Sequence, residues 1–112
     1  VVNPSKRKGT GAETAIVGAL IDAGWPHAER RALHGSTDKG DVAGLPGVCI
    51  EAKAEKTYDI QGWLREVQVE QANANADVGV CWFKLRGKTD PMQWAVVMTG
   101  RQFTDLLRQA GY

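Results

Sequence analysis

No apolar run in this chain approaches the roughly 20 residues needed to span a bilayer, and its start lacks a signal-peptide pattern. A cytoplasmic protein that does not enter the membrane is therefore expected. Cysteine is scarce. Cys49 and Cys81 are too few for a disulfide scaffold and read as reduced core thiols. With His27 and His34 they show no C-x-x-C or H-x₃-H spacing, which argues against zinc. Aromatics make up 7% of the sequence, and Trp25, Trp63, Trp82 and Trp94 do not alternate with basic residues as a base-stacking platform would. Neither sign of charge prevails, since 14 Lys and Arg against 13 Asp and Glu leave a net +1. Repeats, low-complexity stretches, a P-loop, G-x-S-x-G and a Ser-His-Asp set are also missing. What remains is a chain of 112 residues, 43% hydrophobic and 24% charged, which fits one globular domain.

The charges are unevenly spread. Lys6-Arg7-Lys8 has no acid near it before Glu13, Arg30-Arg31 forms a second basic pair, and Lys84, Arg86 and Lys88 surround a third loop. Three separate basic patches suit a nucleic acid that is wrapped or spanned, although solvated loops carry such charges too.

Residues 1–9 read as a flexible basic arm, and 10–112 as the folded domain. Thr10 is expected to cap a helix to about Ala23 that buries Ala12, Ile16, Leu20 and Ala23, with Gly24 stopping it. His27 to Leu33 reads as a strand, followed by a polar loop and a hairpin of Asp41 to Ala43 with Val48 to Lys53. A helix over Ile60 to Ala74, with Ile60, Leu64, Val67 and Gln71 on one stripe, precedes a buried strand over Asp77 to Lys84. A strand over Met92 to Thr99 and a helix over Gly100 to Ala110 carrying Phe103, Leu106 and Leu107 complete the chain. The order α-β-β-β-α-β-β-α implies an α/β fold, a mixed central sheet flanked by helices, with the 77–84 strand returning beside the 48–53 strand.

The hairpin is the most informative segment. Gly40-Asp41 is followed by the turn Leu45-Pro46-Gly47 and then by Glu51-Ala52-Lys53. Strand alternation puts Glu51 and Lys53 on one face, and a short loop would set Asp41 opposite Glu51, with Cβ atoms about 5 Å apart. Opposed carboxylates repel; a divalent cation between them removes the repulsion. Polar residues on a solvent-facing hairpin account for the same pattern.

Other candidates also have two readings. Thr10-Gly11-Ala12-Glu13 is a capping box, or Glu13 supplies a third carboxylate to an oxygen cage suited to Mg²⁺ or Mn²⁺. The loop Ser36-Thr37-Asp38-Lys39 is ordinary surface, or it closes on a phosphate. Arg30 and Arg31 point to opposite faces, so at most one meets the same ligand. Gln68 and Gln71 suit an amphipathic helix surface better than a site.

Taken together, Lys6-Arg7-Lys8-Gly9-Thr10-Gly11-Ala12-Glu13, Ser36, Asp41 and Glu51-Ala52-Lys53 resemble the archaeal Hjc-type Holliday-junction resolvases, of the PD-(D/E)xK, restriction-endonuclease-like nucleases. The resemblance covers about the first half of the chain and holds in outline beyond Lys53. The proline that usually precedes the motif aspartate is Gly40 here. The resemblance implies a restriction-endonuclease-like core and Mg²⁺ (or Mn²⁺) held by Asp41 and Glu51, with the Ala52 carbonyl and, through water, Glu13. Lys53 would orient or deprotonate the attacking water, and Ser36 and Lys39 would touch phosphate. Lys6, Arg7, Lys8 and one of Arg30 or Arg31 would hold flanking DNA. It further implies a homodimer that cuts four-way junctions by paired nicks, in a cell's nucleoid or a phage-infected host. Nucleases of the same superfamily acting on other branched, nicked or single-stranded DNA, and a non-catalytic DNA-binding module, are the competing readings.

Overall fold

Hydrophobic spacing sets the first layer. In the computed structural model, which describes residues 4–32 and 37–112 and side chains from Gly9 onward, helix α1 spans Pro4–Asp22. It starts earlier than Thr10. Proline is well placed at a first helical position, where its missing N–H is not needed. Residues 4–9 are thus helical rather than an arm, and Thr10 lies inside the helix, where it caps nothing. The side chains of Lys6, Arg7 and Lys8, and all of Ser36, lie outside the described residues. Ala12, Ile16 and Leu20 are buried at helical spacing, but Ala23, beyond the last turn, is exposed. The helix closes on N–H bonds from Gly24 to the Ile21 carbonyl and from Trp25 to the Leu20 carbonyl.

Strands β1 (Glu29–Arg30) and β2 (Val42–Ala43) form a short antiparallel pair. The main sheet contains β3 (Val48–Lys53), β4 (Val78–Phe83) and β5 (Ala95–Val97), ordered β3-β4-β5. β3 and β4 run parallel, joined by α2 (Ile60–Asn73), and β5 is antiparallel to β4. A 3-10 turn, Pro91–Gln93, precedes β5, and α3 (Gly100–Gln109) follows it. This is an α/β fold with a mixed sheet and helices packed on it.

The first expected strand is shorter than His27 to Leu33, and β2 ladders with β1, not with β3. The hairpin turn is nevertheless present. Asp41 N–H donates to the Ile50 carbonyl and Val48 N–H to the Leu45 carbonyl. Asp41 therefore lies beside Ile50 rather than squarely opposite Glu51. Two glycines permit this path. Gly40 has φ +96°, and Gly44, at φ +93°, packs where any Cβ would collide with the His27 carbonyl.

The core has two parts. Ile16, Leu20, Ala28, Val42, Ile50, Ala52 and Val80 fill the space between α1 and the sheet. Trp63, Val67, Cys81 and Phe83 join α2 to the opposite face. Cys49 and Cys81 are both free and fully buried, and burial pushes each thiol up to about 12, so neither is a nucleophile.

Helix α3 departs from expectation. Phe103 is exposed, and the buried residue is Gln102. Its Oε1 accepts from Gly79 N–H and Gln71 Nε2, and its Nε2 donates to the Asp77 carbonyl. β5 pairs only with Cys81 to Phe83, so this amide satisfies the start of β4 that the sheet leaves open. Gln71 serves the same clip, which gives it a structural role, while Gln68 is solvent surface.

Candidate metal centre

The buried edge of β3 collects acids from four segments. Glu51 sits in mid-strand at 6% exposure, and Glu70, one turn from the end of α2, at 5%. The crossover between β3 and β4 lays α2 across that face. Trp63, Val67 and Glu70, spaced as a buried stripe, all point inward. Asp41 enters from the turn before β2, its Oδ2 accepting the Ala52 N–H at 2.8 Å. Asp38, from the preceding loop, is pinned by Gly40 N–H on its Oδ1 and by Asn73 Nδ2 on its carbonyl. Oxygens of Asp38, Glu51 and Glu70 lie within 4.8 Å of one another.

These carboxyls form a line in which each member reaches the next: Glu13 to Asp41, Asp41 to Glu51, Glu51 to Glu70, Glu70 to Asp38. Burial raises the affinity of Asp41, Glu51 and Glu70 for protons. Glu51 adds to the shift at Asp41, while the bond to Asp41 opposes it at Glu51 and the bond to Glu51 opposes it at Glu70. Asp41 and Glu51 are pushed up to about 8 and Glu70 to about 7. The Ala52 N–H partly offsets the shift at Asp41. Glu13 is raised by burial and by Asp41, with Arg30 opposing, its Nε 3.0 Å from Glu13 Oε2.

When ionised, Glu51 Oε2 and Glu70 Oε2 find no hydrogen-bond donor. A buried carboxylate oxygen without a partner is costly. Protons shared along the line satisfy these atoms; so does a cation. The donor set is all oxygen, which suits a hard divalent ion such as Mg²⁺ or Mn²⁺ and not a thiophilic one. Asp38, Glu51 and Glu70 can hold one, with Asp41 alongside.

Comparison with family models, curated proteins and solved structures finds no significant match to this chain. The site stands on its own geometry.

Of the residues expected from sequence, Glu13, Asp41 and Glu51 come together. Lys53 follows them on β3 but is turned to helix α2, its Nζ 2.9 Å from Glu66 Oε2. Burial lowers its pKa, yet Glu66, Glu51 and Glu55 outweigh that and leave it raised. It is an ammonium at neutral pH. The pairing of Arg30 with Glu13 binds that arginine to the acids rather than to a free ligand. Arg31 and Lys39 line a cavity of about 210 Å³ with Asp38 and Asp41. Arg31 Nε is buried there without an acceptor. Both arginines thus approach the centre, against the expectation of one at most.

Glu70 and Asp38 were not foreseen. Glu70 had a signal, an acid three residues after Val67 on the stripe that buries Trp63 and Val67. The expected stripe of Ile60, Leu64, Val67 and Gln71 shares Val67 with the buried face but takes Leu64 where the structure buries Trp63, and Gln71 where it buries Glu70. Asp38 had none beyond its loop.

Proposed function

We propose that this chain is a divalent-cation-dependent endonuclease that hydrolyses phosphodiester bonds in branched DNA, with the four-way junction as its substrate and a homodimer as the acting form. The observation that carries the hydrolytic reading is the buried carboxylate line whose central oxygens have no donor. The resemblance of the Glu13, Asp41 and Glu51-Ala52-Lys53 set to junction resolvases directs it to DNA and to the junction. The element order, with the motif strand and β4 joined through α2, agrees with a restriction-endonuclease-like core.

Asp38, Glu51 and Glu70 would hold the cation, with Asp41 alongside. When bound, a divalent cation lowers the pKa of water and offsets charge on a phosphate undergoing attack. The protein supplies the remaining functions. Ala52 N–H orients Asp41, and Arg30 fixes Glu13 at the helix edge. Lys53, held as ammonium, adds positive charge beside the scissile phosphate and does not act as the base. A binding module has no need for buried acids that only protons or a cation can reconcile, which disfavours the non-catalytic reading.

The test is cleavage of a labelled four-way junction with Mg²⁺, beside linear duplex, nicked, flap and single-stranded controls. Asp41→Ala and Glu51→Ala are expected to lose cutting and keep junction binding. Full activity in either variant would remove this mechanism, and cutting confined to another substrate would keep the nuclease but not the resolvase.

A further inference from the structure

A groove of about 650 Å³ lies between α1 and the loops that follow β3 and β4. The carboxylates themselves do not line it, but two of its lining residues adjoin that site in sequence. Ala12, next to Glu13, lines one wall, and Ala54, next to Lys53, lines the floor. Lys56, Lys84 and Arg86 surround it, against one carboxylate, Glu55. Among the described residues none of the three cations has an acidic partner. Glu55 is already engaged, accepting from Trp63 Nε1 at 2.8 Å. These three exposed cations leave the rim of the groove net positive, which favours an anion from outside.

The groove also has aromatic walls held in place. The Tyr58 hydroxyl accepts the Arg86 N–H at 3.0 Å, and Arg86 Nη2 donates to the Lys56 carbonyl at 3.0 Å. The Tyr58 ring rests on Trp63 and Phe83 yet stays 40% exposed. Trp94, half-buried on the other side, donates its Nε1 to the Lys88 carbonyl. Each ring anchors its polar end in the protein and keeps apolar surface at the groove. Cations for phosphates and ring surface for bases together describe a single-strand site.

We propose that this groove binds an unpaired DNA strand and leads it to the carboxylate centre. The inference rests on the nuclease reading and deepens it, because the branched substrate must then offer unpaired nucleotides beside the cut, which an opened branch point supplies. The paired bases of a duplex are not free to stack on Tyr58 and Trp94.

Fluorescence anisotropy in EDTA, with labelled oligothymidylate and a hairpin duplex over a series of salt concentrations, tests it. The unpaired strand is expected to bind more tightly than the duplex. Lys84→Gln combined with Arg86→Gln should weaken it about tenfold or more and reduce the slope of log K against log salt by about 1.4, two phosphate contacts at roughly 0.7 each. Trp94→Leu should weaken it about tenfold with the slope unchanged. Unaltered single-strand affinity and slope in the double variant, or tighter binding of duplex, would overturn the proposal. Calorimetric titration of the wild type with Mg²⁺ separates the two readings. Groove-dependent strand binding without any Mg²⁺ binding would sink the nuclease and keep the groove.

Discussion

Raising the pH of the metal-free protein should destabilise it, and the carboxylate line gives the size of the effect. Glu51 moves from an ordinary 4.5 to about 8 on folding, at 6% exposure, so solvent screens it little. At about 1.4 kcal/mol per unit, ionising it in the folded state costs roughly 5 kcal/mol relative to the unfolded chain. Asp41 shifts as far, but the two titrate as one system, so their costs do not add. The sign follows from the raised folded values. The folded state holds protons that the unfolded chain gives up near pH 4. The stabilisation is therefore complete below about pH 4, declines as the pH rises, and is gone above about pH 8. A loss of about 5 kcal/mol is comparable to a whole domain's stability. In EDTA, the melting temperature should fall by roughly 20 °C between pH 5 and pH 9. Mg²⁺ or Mn²⁺ binds the ionised form. Added at a hundred times its Kd it should return about 2.7 kcal/mol at pH 8, and much less at pH 5, where protons compete. The assay is differential scanning fluorimetry across pH with EDTA or cation. A melting temperature that is flat or rising from pH 5 to pH 8 in EDTA would show that the acids ionise freely. No cation-induced rise at pH 8 would remove the metal centre.

Three further outcomes are expected. Glu70→Gln keeps the side chain's volume and removes a charge, so at pH 8 in EDTA it should melt higher than the wild type while Mg²⁺ affinity by calorimetry falls at least about tenfold; unchanged affinity would exclude Glu70 from the cation site. Glu66→Gln removes the partner that helps raise the Lys53 pKa, so the alkaline limb of the cleavage pH profile should move to lower pH, and a fixed limb would show that Lys53 does not set it. Gly44→Ala should destabilise by more than about 2 kcal/mol in urea, because its positive φ and the His27 carbonyl both oppose a side chain, and a near-neutral result would mean the turn relaxes freely.

What could be read from the chain alone follows the range of the forces involved. The α/β class, the parallel return of β4 beside β3 and the extents of α2 and α3 rest on local periodicity and on the need of a parallel pair for a crossover, so the residues announce them. Asp41 and Glu51 were legible because a short turn separates them. Their register was not, since it depends on Gly40 and Gly44 taking positive φ and diverting β2 to β1. Glu70 lies far along the chain from Asp38 and Glu51 and meets them only after α2 has packed on β3. That depends on which helix face the sheet selects, and bulky Trp63 chose it over Leu64. Once Trp63 and Val67 are buried, the 3.6-residue repeat leaves Glu70 no outward path. The same packing that completes the core therefore brings in the acid that the core cannot accommodate unaided. An oxygen left without a donor at that point is explicable if the folded state is completed by something the chain does not contain, a proton at low pH or a cation near neutrality.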